Sequence, residues 1–268
     1  MKRRAVLLSS IVAFGYALLY VPIVTVIIYS FNDSRLVTLW GGFSLRWYSS
    51  LLQDEELLSA ALLSLRVAVL SATFATALGA VVALALQRVK RLQGRLLLSG
   101  LISAPLVMPE IITGLSLLFL FISMANLIGW PVSRGATTIT IAHITFSMAY
   151  VVIVVRSRLA AMDESLEEAA MDLGGRPIAV FFDITVPMLL PALVSGWLLD
   201  FTLSLDDLVI SSFVSGPGAT TLPMLIFSKV RLGVTPDINA ITTIIIALVM
   251  IAAAAAVLIS NRRRPAVA

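Results

Sequence analysis

The chain has 268 residues, of which 59% are hydrophobic and 13% charged. Soluble domains carry about 25% charged residues, so the composition excludes an ordinary soluble fold and points to a membrane protein. With no cysteine, disulfides, thiolate metal sites and cysteine nucleophiles are excluded as well. The net charge of +4 is gathered in clusters: Lys2-Arg3-Arg4, the run from Arg88 to Arg95, Arg156, Arg158 and Arg176, and Arg262-Arg263-Arg264. All flank the same side of the apolar segments, which is the positive-inside pattern rather than a nucleic-acid patch.

Six apolar segments are each long enough for a bilayer that needs about 20 residues. The first covers 6–31, too long for a signal peptide, with Pro22 inside it. A polar loop follows, holding Phe43-Ser44-Leu45-Arg46-Trp47-Tyr48, whose aromatics suit the water–lipid interface. The second span runs 61–86. The third, 96–124, is broken by Pro105 and Pro109 and carries Glu110. The fourth, 138–155, contains the single histidine, His143, expected to be a hydrogen-bonded bundle residue. The fifth covers 188–214 and ends at Ser215-Gly216-Pro217-Gly218. The sixth covers 236–260, opened by Pro236 behind Thr235 as N-cap. The expectation is one all-α integral membrane domain over 1–268, both termini cytoplasmic.

Between the fourth and fifth spans lies a charged loop, 156–187. Ser165 followed by Glu168 three residues on reads as a capping box. Leu166, Ala169, Ala170 and Leu173 recur at i, i+3, i+4 and i+7, forming one apolar stripe. Gly174-Gly175 is expected to end the helix in the left-handed conformation, and Pro177 to open the next. The loop therefore reads as helix, sharp turn, helix.

Acids within the apolar spans are the other signal, because a charge at the bilayer centre costs roughly 2.5–3.5 kcal/mol or more. Glu110, Asp206 and Asp207 are the candidates for a polar passage. On a continuous helix Asp200, Ser204, Asp207 and Ser211 share one stripe, and Asp206 points about 100° away from Asp207. A row of acids in a conduit suits a cationic substrate, replacing lost hydration with opposite charge. No phosphate-cradling loop is present, since Gly216 to Thr221 lacks the lysine such a loop needs. If ATP powers the protein, another chain binds it. The residues indicate no catalytic group, cofactor or metal.

Glu168-Ala169-Ala170, Gly174 and Ile184-Thr185-Val186-Pro187, at that spacing, resemble the docking loop of ABC-importer permeases. Phe201 to Gly218, Gly42 to Tyr48, Thr221-Leu222-Pro223, Val107 to Ile111 and Gly233 to Ala240 look like the polyamine branch of that family, closest to the second permease of a putrescine importer. Glu110 stands where the branch often has Asp, and Asp200 where it usually has a small or apolar residue. The resemblance implies a type I ABC-importer permease fold with six transmembrane helices. It implies a second permease subunit, an ATPase dimer and a periplasmic polyamine-binding protein as partners. It further implies that Leu166, Glu168, Ala169, Ala170, Leu173 and Gly174 dock into the ATPase, and that Glu110, Ser204, Asp206 and Asp207 line the substrate path. The rivals are an ion-coupled secondary transporter, for which the loop would have no use, and an ABC permease for spermidine or another solute.

Overall fold

The computed structural model describes residues 2–36, 39–89, 93–163, 165–233 and 236–262, with backbone alone for 2–7, 248–249 and 252–262. Five described helices are long and apolar enough to cross a membrane: Leu8–Tyr29, Glu55–Arg88, Glu110–Ile128, Ala136–Ala160 and Pro177–Asp206. Two apolar helices, Arg95–Val107 and Pro236–Ala247, are shorter over the same residues. Thr235, expected as an N-cap, lies outside the described residues.

The helices form two compact units. The smaller comprises residues 1–58 and 226–268. In it α1 (Lys2–Tyr29) and α2 (Arg46–Leu51) both pack on α12 (Pro236–Arg262). The link from α1 to α2 is organised by Asn32, whose side chain is fully buried. Its Oδ1 accepts from the Gly41 and Ser34 amides at 2.7 and 3.2 Å, and its Nδ2 donates to the Leu39 carbonyl at 2.7 Å. Two of the aromatics expected at an interface also secure this loop. Trp47 Nε1 donates to the Asn32 carbonyl at 2.7 Å, and the Tyr48 and Ser30 hydroxyls lie 2.7 Å apart. Phe43, stacked on Phe31, stays exposed.

The larger unit, Ser59–Leu225, contains most of α3 (Glu55–Arg88), then α4 (Arg95–Val107), α5 (Glu110–Ile128), α6 (Ala136–Ala160), α7 (Ser165–Asp172), α8 (Pro177–Val180), α9 (Val186–Asp206) and α10 (Val209–Val214). A π-helical turn, Phe181–Thr185, joins α8 to α9. The final short helix, α11 (Leu222–Leu232), begins in this unit. At its centre is α6, packed against α4, α5, α9 and α10. Close approach requires small residues. A Cβ on Gly79 of α3 would come within 2.9 Å of Val151, and one on Gly196 of α9 within 3.3 Å of the same side chain. Val151 and Val152 of α6, with Ala75 and Leu86 of α3 and Leu189 of α9, make one apolar core. Ile139, Phe146, Leu117, Phe121, Ile210 and Val214 make a second.

Two expected helices are interrupted. The third span breaks at Met108-Pro109 alone, where Met108 is extended (ψ 135°) and Pro109 serves as N-cap of α5. A residue before proline disfavours the helical region. Pro105, expected to break the helix as well, is carried inside α4. The fifth span is not continuous from 188 to 214. Its helix starts upstream, through α8 and the π turn, and stops at Asp206, with Asp207 extended (φ −66°, ψ 122°) before α10 begins.

Candidate functional site: a polar cluster, two helix breaks and an exposed turn

The break after Asp206 has a local cause. The Asp207 carboxylate accepts from the Ile210 amide at 3.2 Å and the Ser211 amide at 2.7 Å. It thereby replaces backbone partners that the first turn of α10 lacks, as an aspartate N-cap does. This overturns the expectation of one polar stripe on an unbroken helix, and with it the 100° separation of Asp206 from Asp207.

Three of the four stripe residues nevertheless converge, because His143 gathers them. His143 is 3% exposed. Its Nδ1 lies 2.6 Å from Ser204 Oγ, and its Nε2 lies 3.1 Å from Asp207 Oδ2 and 3.0 Å from Ser211 Oγ. The histidine is the hydrogen-bonded bundle residue expected from its position, and it staples α6 to α9 and α10. Ser204 and Asp207, expected to line a passage, are committed to His143 and to the α10 cap. Asp200, one turn before Ser204, is fully buried.

Glu110 and Asp206 are different: both are exposed, and neither has a side-chain partner among the described residues. They sit at the two helix breaks, Glu110 as the first residue of α5 and Asp206 as the last of α9. These breaks are neighbours. Gly114 faces Ile210 and Phe213 closely enough that a Cβ would touch the Phe213 ring at 2.7 Å. Further along, Phe121 to Asn126 share a cavity with Pro217. Thus α5 and α10 run in parallel from adjacent starts, with one exposed acid at each break: Glu110 opening α5 and Asp206 closing α9.

The charged loop forms the expected helix–turn–helix. Gly174 has φ +89°, and its amide donates to the Met171 carbonyl at 2.9 Å. The Gly175 amide donates to Ala170 at 2.9 Å, where a Cβ would lie 2.7 Å from that same carbonyl oxygen. Pro177 opens α8 behind Arg176, which supplies no side-chain cap. The capping box is not formed as expected. Ser165 is already the first residue of α7, and its amide donates to Asp163 Oδ1 at 3.0 Å. The Ser165 amide and hydroxyl hold the Asp163 carboxyl below its ordinary value. Asp163, two residues nearer the preceding span, therefore takes the role assigned to Ser165.

Among the described residues, nothing covers the apolar stripe of α7. Leu166 is 47% and Leu173 90% exposed, Ala169 is exposed and Ala170 half-buried. Glu168 is exposed beside them. Behind this face, Glu167 Oε1 accepts from Arg88 Nη2 and from the Thr185 hydroxyl, each at 2.8 Å. Glu167 drew no attention from sequence because its partners lie in α3 and the π turn. Together α7, α8, the π turn and the end of α3 line an open cleft of about 300 Å³.

Long apolar helices around a small-residue seam, with a rigid, apolar turn displayed at one end, define a multi-pass membrane transport subunit. The family model for the binding-protein-dependent transport system inner membrane component matches residues 75–264, and the chain belongs to that family, as a multi-pass inner-membrane protein. It is 58% identical over 235 residues to the putrescine transport system permease protein PotI of Escherichia coli (strain K12), covering 88% of this chain and 84% of that one. It is 43% identical over 230 residues to the spermidine/putrescine transport system permease protein PotC of the same strain, covering 86% of this chain and 84% of that one. The fold is shared with a bacterial ABC transporter involved in import of the acidic polysaccharide alginate, at TM-score 0.72 and 15% identity, over 98% of this chain and 97% of the other.

Proposed function

We propose that this chain is a transmembrane permease subunit of an ATP-driven importer that carries a polyamine, putrescine, from periplasm to cytoplasm. The observation that carries the reading is the 58% identity to PotI over 88% of the chain, against 43% to PotC. The chain works as a single permease domain of six spans with both termini in the cytoplasm. It pairs with a second permease subunit, receives substrate from a periplasmic binding protein and docks on an ATPase dimer. The exposed stripe Leu166, Ala169, Ala170 and Leu173, ended by Gly174 and flanked by Glu168, enters a groove of the ATPase. ATP-driven closure of the ATPase pair moves α7 as a rigid lever, because Glu167 ties it to α3 and to the π turn.

Glu110 and Asp206 are the residues we assign to direct contact with the substrate ammonium groups. Both are open acids at adjacent helix breaks, where freed backbone carbonyls add further acceptors. Asp207 and Ser204 border the path through His143 and contact substrate less. A hydrogen bond to a charged group is worth about 1.5–3 kcal/mol. Uptake of labelled putrescine should therefore fall at least about tenfold, or about 1.4 kcal/mol, in Glu110→Gln and in Asp206→Asn, with normal amounts of assembled complex. Undiminished uptake in both would remove these acids from the path. Vanadate should stop uptake; its failure to do so would favour an ion-coupled carrier.

A further inference from the structure

The seam between α6 and α9 is antiparallel and advances four residues at a time on both helices. Gly196 meets Val151 at one end, and Ser204 meets His143 at 2.6 Å at the other. Midway, the same register sets Asp200 against Ser147. Asp200 is fully buried, and neither carboxyl oxygen has a hydrogen-bond partner among the described residues. Phe146, Leu203 and Ile210 complete its surroundings, and no water-sized space remains among them.

The neighbours decide the charge that this carboxyl can carry. The Ser147 hydroxyl donates its only proton to the His143 carbonyl at 2.6 Å, so it offers Asp200 lone pairs alone. Those lone pairs repel a carboxylate but accept from a carboxylic acid. The titratable groups facing Asp200 are His143 on α6 and Asp207 at the α9–α10 junction; α10 contributes Ile210, which has no charge. Both His143 nitrogens are already engaged, with Ser204 on one side and Asp207 and Ser211 on the other. Even a protonated histidine would be matched by Asp207, leaving Asp200 without a counter-charge. A cation from another subunit cannot reach a side chain enclosed within this one. An unpaired buried charge takes up a proton instead.

We propose that Asp200 is a proton-binding site, whose neutral carboxyl, set beside the Ser147 acceptor, lets the α6–α9 seam pack without a buried charge. The site needs no ATP, substrate or partner chain, so it stands apart from the assigned transport role. Because the bound form is the neutral one, the seam is closed below the pH at which Asp200 titrates and weakens as pH rises through it. In the purified permease complex in lipid nanodiscs, infrared spectra at neutral pH should contain a protonated-carboxyl C=O band. The band should shift on labelling with ¹³C-aspartate and disappear in Asp200→Asn. Asp200→Asn, a neutral isostere, should assemble normally and transport within about twofold of the parent at neutral pH. In proteoliposomes with the same pH on both sides, it should keep at alkaline pH the uptake that the parent loses. A parent complex with no aspartate-derived C=O band overturns the proposal, whatever the variant does. So does failure of Asp200→Asn to assemble, or a parent and variant that lose uptake in parallel.

Discussion

The Glu167 carboxylate joins α7 to α3 and to the π turn, and Glu167→Ala tests what that carboxylate holds. Two bonds are lost, with different consequences. Thr185 is 3% exposed, so its hydroxyl is left buried and unpaired at a cost of about 1–3 kcal/mol. Arg88 and Glu167 are partly open, at 25% and 19% side-chain exposure, and such a pair adds roughly 0.2–1 kcal/mol. The sum is about 1–4 kcal/mol. Glu167→Gln keeps an oxygen for Thr185 and loses only the ionic part, roughly 0.2–1 kcal/mol. Amide hydrogen exchange across 166–173 reads this directly, because local opening follows local stability. At about 1.4 kcal/mol per tenfold, protection should drop at least about fivefold in Glu167→Ala and less than that in Glu167→Gln. Arg88→Gln should match Glu167→Gln. Equal effects of the Ala and Gln substitutions, or unchanged exchange in both, would refute the claim that Thr185 is held by Glu167.

Gly174 has nothing crowding its absent side chain and φ of +89°, so the penalty for replacing it is conformational, about 1–2 kcal/mol for an ordinary residue in the left-handed region and more for a β-branched one. Gly174→Val should lower putrescine carried per ATP hydrolysed in the reconstituted complex, while Gly174→Asn stays near the parent; equal behaviour would detach the turn from coupling. In the smaller unit, Asp54 Oδ2 accepts from Lys229 Nζ at 2.9 Å and Asp54 Oδ1 from the Leu57 amide at 3.0 Å. The Lys229 bond first, then the Leu57 amide, lower the Asp54 pKa from 3.8. Its contribution is therefore present above that ordinary value and lost as pH falls through the depressed one. At neutral pH Asp54→Asn should reduce thermal stability by the roughly 0.2–1 kcal/mol of a partly exposed pair, and the two proteins should converge in acid. A constant difference at every pH would mean that the charge is not what stabilises this contact.

Much of the architecture is determined by local chemistry and is legible in the sequence itself. The apolar segments, the proline break before Glu110, the left-handed Gly174 and the exposed stripe from Leu166 to Leu173 each depend on a few consecutive residues. Lipid strengthens this dependence, because backbone groups in hydrocarbon must be satisfied within their own helix. The break at Asp207 was not readable in the same way. No proline or glycine marks it, and the capping carboxylate is indistinguishable in sequence from one on a continuous stripe. Which acids stay open was likewise a tertiary matter. Asp207 is drawn to His143, 64 positions away, while Asp206 beside it remains exposed. Glu167, on the polar side of α7, acquires its role only when α3 and the π turn bring Arg88 and Thr185 to it. Periodicity reports which face of a helix is apolar. It carries no information about which distant helix supplies the partner, and packing alone separates a buried, committed carboxylate from one that is free to meet a cation.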